Sequence, residues 1–233
     1  TEMKGTAKQA LGYGVGAVGK DMVYALVSGF ILYYYNDILG ISGTFTGVMM
    51  MAARVFDAFN DPLMGVVVEK TNTPFGKFRP WIVTGTLTNA LILYGMFAMP
   101  ASVTGTAMLV YASVAYVLWG VTYTLMDIPF WSMIPAITSS GKGRENLSVI
   151  GRTCAAVGYA VPTVLTMLLV VRLGSGEREG FAIFAAAVAV VFVAAELVCV
   201  ALVREKPTER QKTATVREMF SALIHNDQAM VVV

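Results

Sequence analysis

Residues 81–126 read WIVTGTLTNALILYGMFAMPASVTGTAMLVYASVAYVLWGVTYTLM, without one charged side chain. A helix that crosses a bilayer core needs about 20 apolar residues, so this run is too long for one crossing. Its middle, Pro100-Ala-Ser-Val-Thr-Gly105, is turn-forming and divides it in two. Working outward, Met22–Asn36 and Thr153–Val171 are also free of charge. Six helices are therefore expected, at roughly 10–37, 44–70, 80–99, 106–138, 145–172 and 180–203. Composition agrees. Apolar residues make up 56% of the 233, charged residues 14%, and the mean hydropathy is +0.66, whereas a soluble domain carries about 25% charge. The chain reads as an all-α transmembrane protein whose first partner is the lipid bilayer.

Lys and Arg sort by side. Lys4, Lys8, Lys70, Lys77, Arg79, Lys142, Arg144 and the basic residues from Arg204 to Arg217 fall on one face of the membrane, and only Arg172 and Arg178 on the other. The excess marks the cytoplasmic side, so a cytoplasmic N-terminus is expected. Residues 1–203 form the bundle. Residues 204–225 are polar and read as a cytoplasmic linker, with Val216, Met219, Phe220 and Leu223 at helical spacing. Residues 226–233 end in Ala229-Met-Val-Val-Val233, which reads as the start of a seventh span, so the chain is expected to be part of a longer protein.

Several function classes are set aside. The net charge of +2 offers no field for nucleic acid. Cys154 and Cys199 sit in apolar runs and read as small packing residues. Gly14-Val-Gly16-Ala-Val-Gly19 has the spacing of a dinucleotide loop, but it lies in an apolar helix with no preceding strand. Glycines at this density in a membrane helix allow close helix packing instead. No phosphate loop, HExxH or GxSxG occurs, and the only histidine is His225. The chain is not expected to be an enzyme. Glu196, two turns from the inner end of the sixth helix, is expected to snorkel.

Charges within the spans are more informative, because each costs roughly 2.5–3.5 kcal/mol at a helix centre. Arg54, Asp57 and Asp61 share one face of the second helix. Lys20 and Asp21 lie well inside the first, and Asp127 and Arg152 within the fourth and fifth. Such groups face each other or a wet cavity. They serve as structural ion pairs, with Lys20, Arg54 and Arg152 each neutralising an aspartate, or they bind ligands. Asp57 and Asp61 with Asn60 form a hard oxygen cluster suited to Na⁺ or to a shared proton. Asp127, Arg152 and Trp131 combine an acceptor, a donor and a flat apolar face, which together suit a sugar.

These residues stand in longer motifs: Gly12-Tyr-Gly14…Gly19-Lys20-Asp21, Tyr33-Tyr-Tyr35-Asn36-Asp37, Arg54-Val-Phe-Asp57-Ala-Phe-Asn60-Asp61-Pro62, Gly76-Lys-Phe-Arg79-Pro-Trp81, and Leu118-Trp119-Gly120…Tyr123-Thr124-Leu-Met-Asp127-Ile-Pro129-Phe-Trp131. With them the chain resembles the glycoside–pentoside–hexuronide:cation symporters of the major facilitator superfamily. The resemblance spans nearly all of this chain but only the first half of the family's length. It implies the N-terminal six-helix bundle of that fold, built of two inverted three-helix repeats, in a bacterial inner membrane. It also implies a C-terminal bundle that this sequence lacks, together with a lysine which that bundle places near the cation site. The family's cation site maps to Asp57, Asn60, Asp61 and Thr124. Its sugar site maps to Lys20, Asp21, Tyr123, Asp127, Trp131 and Arg152, with Trp119 nearby. The expected partners are a sugar or glycoside and a coupling cation, Na⁺ or H⁺, with no other cofactor. The loop Gly65…Glu69-Lys70…Gly76-Lys77 looks like a loose form of the superfamily's cytoplasmic gating signature, with Glu69 in the acidic place. A galactoside-carrying member has an aromatic on the first helix where this chain has Ser28. A half-sized homodimeric transporter and a non-transporting accessory subunit are the alternatives.

Overall fold

In a computed structural model of the chain, residues 2–138 and 141–205 are described. Helix α1 (Glu2–Tyr33) runs into a π-helical turn at Tyr34–Ile38, and is followed by α2 (Gly43–Lys70), α3 (Arg79–Phe97), α4 (Gly105–Ser132), the four-residue α5 (Ile134–Ile137), α6 (Gly141–Leu173) and α7 (Glu177–Leu202). The six long helices fall where the apolar runs predict them. Two boundaries differ: the first helix, expected from about 10, begins at Glu2, and the fourth, expected to reach 138, breaks at Met133, whose N–H bonds back to the Pro129 carbonyl. The linker and the start of a seventh span lie outside the described residues, apart from Arg204 and Glu205.

Among the described residues, four segments are long and apolar enough to cross a membrane: Ala7–Ile38, Gly105–Ser132, Gly141–Leu173 and Glu177–Leu202. This is a multi-pass membrane protein. Helices α2 and α3 fall outside that set because of their polar residues, of which α3 buries Thr86 and Asn89. Asn89 is fully buried and donates to the Trp119 carbonyl and to Thr122 Oγ1, both at 3.0 Å.

The packing has an internal symmetry. Helix α1 lies against α6 and α7, α4 against α2 and α3, and α3 against α7. Exchanging α1 with α4, α2 with α6 and α3 with α7 maps those neighbours onto one another, although α6 also packs on α7 and α2 has no comparable contact with α3. Three crossings per repeat invert the second copy, which is the arrangement of major facilitator bundles. The exchanged pair α2 and α6 carries rows of exposed apolar side chains, among them Val55, Phe59 and Leu63, and Val157, Val164 and Leu168.

Glycines set the closest contacts. A Cβ at Gly158 would lie 2.2 Å from the Val18 carbonyl oxygen, and one at Gly19 would lie 2.5 Å from Ala195 Cβ. The π turn lets two successive tyrosines bury in different directions. Tyr34 donates to the Phe97 carbonyl at 2.8 Å and Tyr35 to the Ala112 carbonyl at 3.0 Å. At the other end of the bundle, the Glu205 carboxylate accepts the backbone N–H groups of Lys77 at 2.6 Å and of Phe78 and Arg79 at 3.0 Å. An anion is favoured there by the free N–H groups of the α3 N-terminus. Glu69 is exposed, and Glu205 is the acid that holds this loop.

Candidate functional site

Helical spacing builds the first cluster. On α1, Lys20, Asp21 and Tyr24 share one side; on α4, Tyr123, Asp127 and Trp131 recur every four residues. With Arg152 and Ala155 of α6 they line a cavity of about 410 Å³. All six residues mapped to sugar binding by resemblance are thus brought together.

Lys20 is only 2% exposed. Its Nζ lies 2.7 Å from Asp127 Oδ1 and 3.4 Å from Asp21 Oδ1. It donates to the Tyr123 hydroxyl at 3.5 Å, and that hydroxyl donates to the Lys20 carbonyl at 3.4 Å. Three rings also face the ammonium, with centroids at 4.9 Å for Trp131, 5.5 Å for Phe130 and 5.7 Å for Tyr123. Two carboxylates and aromatic faces offset the desolvation of one cation. Trp131 Nε1 also donates to Asp127 Oδ1, at 3.1 Å. Both contacts fall on the same oxygen, and among the described residues no hydrogen bond reaches Asp127 Oδ2. The expected pairing of Arg152 with an aspartate differs here. Its guanidinium lies 5.4 Å from the Trp131 centroid, and the ion pairs among the described residues are the two made by Lys20. Asp127 Oδ2 is therefore open as an acceptor and Arg152 as a donor, beside an aromatic wall. That combination suits a polyol.

The second cluster lies across α4. Thr124 donates to Asp61 Oδ1 at 3.1 Å. A Cβ at Gly120 would lie 3.4 Å from Asp57 Oδ1, so α4 has no side chain where Asp57 approaches it. Asp57 and Asp61 interact electrostatically, and Arg54 lies near Asp57, Tyr24 and Tyr116. Asn60 Nδ2 is buried and has no hydrogen-bond partner among the described residues. No group of three or more His, Cys, Asp or Glu that could hold a metal ion occurs among the described residues. An ion here would meet Asp57 and Asp61 with the hydroxyl of Thr124. Helix α4 thus carries Gly120 and Thr124 on the edge facing α2, and Tyr123, Asp127 and Trp131 on the edge facing α1.

Trp119 stands one ring back from the cavity, stacked on Tyr123 at 5.3 Å. Sequence reasoning missed Tyr24, although its place one turn beyond Lys20 was a usable signal. It also missed Gly120, which shows only as an absent side chain. Glu196 does not snorkel: it is 1% exposed, inside the bundle.

Comparison with known proteins identifies the family. The chain is 29% identical to the inner membrane symporter YicJ of Escherichia coli, over 97% of its own length and 49% of the relative's. It is 26% identical to the raffinose carrier protein of Pediococcus pentosaceus, over 94% and 37%. It is 27% identical to the lactose permease of Lactobacillus delbrueckii, over 98% and 39%. The chain spans about half the length of these relatives, or less. Its motifs, its internally symmetric bundle and the match of residues 12–233 to one family of transporters, not enzymes, converge: the chain belongs to the MFS/sugar transport protein family.

Proposed function

We propose that this chain supplies one bundle of a secondary active transporter that couples a cation, Na⁺ or H⁺, to the uptake of a sugar or glycoside by alternating access. A second six-helix bundle closes the cavity, and no cofactor is needed beyond the coupling ion. The observation that carries this reading is that α4 serves both clusters. Sugar groups engage Tyr123, Asp127 and Trp131 on one edge, with Lys20, Asp21 and Arg152 facing them and Trp119 behind. The cation engages Asp57, Asp61 and Thr124 at the other edge, with Asn60 on the same turn of α2. An ion between the two aspartates relieves their repulsion and fixes α2 against α4. That fixes the far edge of α4 for sugar. Such coupling is reciprocal, so sugar raises cation affinity by the same factor. The inner membrane location and a cytoplasmic N-terminus belong to the same reading. They are supported by the basic residues in the loops and by the name of the YicJ relative.

The test is uptake by the full-length protein in membrane vesicles, with labelled lactose, raffinose, methyl xyloside and methyl glucuronide, under imposed Na⁺ or H⁺ gradients. At least one sugar accumulates against its gradient when an ion gradient is present. Asp57→Cys abolishes ion-driven accumulation while sugar binding persists. Ion-dependent accumulation retained in that variant overturns the cation assignment.

A further inference from the structure

Behind the cavity lies a carboxylate that the two clusters do not use. Glu196 of α7 is 1% exposed, and among the described residues neither of its oxygens has a hydrogen-bond partner. The charged groups that act on it are Lys20, Asp127 and Asp21. Its position follows from the tightest helix contact in this part of the bundle. A Cβ at Gly19 would lie 2.5 Å from Ala195 Cβ, and one at Gly16 would lie 2.8 Å from Cys199 Cβ. Helix α1 is therefore pressed onto α7 on either side of Glu196, in the turn that carries Lys20. A buried carboxylate without a donor is costly to any fold, and truncating α7 at this position would remove the cost.

Lys20 has the complementary problem. Its ammonium blocks Asp127 Oδ1 at 2.7 Å. A sugar that uses this aspartate as a two-oxygen acceptor must displace it, yet at 2% exposure Lys20 cannot retreat to water. It needs a second anion within reach of its flexible stem. Asp21 shares the cavity that the sugar enters, whereas Glu196 is absent from that lining.

We propose that Glu196 is the positioning residue that receives Lys20 when a sugar takes over Asp127. The ammonium swings from Asp127 toward Glu196, Asp127 gains a free oxygen pair for hydroxyls, and Glu196 gains the donor it lacks. The step exchanges hydrogen bonds and ion pairs and makes or breaks no bond between heavy atoms. This rests on the symporter reading above.

The test measures equilibrium binding of the four labelled sugars to the full-length protein in proteoliposomes. Wild type is compared with Glu196→Gln, Glu196→Asp, Lys20→Met and the double variant Glu196→Gln/Lys20→Met. Glu196→Gln is expected to weaken sugar binding at least about tenfold, and Glu196→Asp to restore most of it. In the Lys20→Met background, Glu196→Gln is expected to add less than about a twofold loss, because non-additivity identifies residues that act through one another. Wild-type affinity in Glu196→Gln, or an equal loss in both backgrounds, overturns the proposal. If Lys20→Met binds no sugar, sugar-induced infrared difference spectra decide. A carboxylate band present in wild type and absent in Glu196→Gln supports it, and identical spectra overturn it. Failure of wild type to bind any of the four sugars overturns the symporter reading and this inference together. Binding by wild type with additive losses overturns this inference alone.

Discussion

The two charged clusters on either side of α4 are held in opposite ways. On the α1 side, Lys20 is enclosed by two carboxylates and three rings, and the helices around it meet through glycines. On the α2 side, Arg54 and Asp61 are exposed, and among the described residues the one hydrogen bond to either Asp57 or Asp61 comes from Thr124. Neighbouring Phe56, Phe59 and Leu63 are exposed as well. The first cluster is thus assembled within this bundle, while the second has a wall on one side only. The contrast fits a division of labour. A sugar site needs fixed, directional partners. A cation site that gates movement needs ligands whose spacing changes with the position of α2.

That contrast can be broken at three points. The largest effect is expected from Asp127→Ala, which removes the acceptor and leaves Lys20 without its shortest ion pair. Equilibrium sugar binding should fall by at least about thirtyfold, in line with the 2–5 kcal/mol that follow when one partner of a buried charge pair is removed. Survival of sugar binding would mean that the α1 cluster is structural. Next, Gly158→Ala forces a Cβ toward the Val18 carbonyl oxygen and should destabilise the bundle by about 1–3 kcal/mol. The measurement is a thermal transition in detergent, with Gly47→Ala as the control, since nothing lies within 4 Å of a Cβ there. Equal transitions for the two variants would show that the α1–α6 contact is looser than described. The smallest effect is expected from Gly120→Ala. It places a methyl group in van der Waals contact with Asp57 Oδ1 and should leave the thermal transition within about 0.5 kcal/mol of wild type. Titration with the coupling ion should nevertheless shift by about tenfold, while sugar binding without the ion stays unchanged. An effect on sugar alone would reverse the assignment of the two edges of α4.

Much of this architecture could be read in the sequence, because a bilayer leaves few options. Long uncharged runs must be helices, and charges embedded in them must converge. Lys20, Asp21, Asp127, Trp131 and Arg152 accordingly meet. What escaped depended on tertiary choices that periodicity does not record. Glu196 lies close enough to a helix end that its side chain can reach outward or turn in. The small residues Gly16 and Gly19 on a different helix decide the matter by bringing α1 onto its turn. The π turn at Tyr34–Ile38 was equally hidden, because no residue type in Tyr34-Tyr-Asn-Asp-Ile38 marks a change from the regular helical repeat. Gly120 matters through what it omits, which no pattern of side chains reveals.

The Glu205 carboxylate has a mechanical consequence. It fastens the end of the last helix to the loop between the second and third, and Arg79 adds a bond to the Val200 carbonyl. Those segments belong to different three-helix units, so the units are buckled together at one end. In the proposed transport cycle, motion that empties the cavity toward that end favours the whole bundle tilting as a single lever, in preference to the halves sliding past one another.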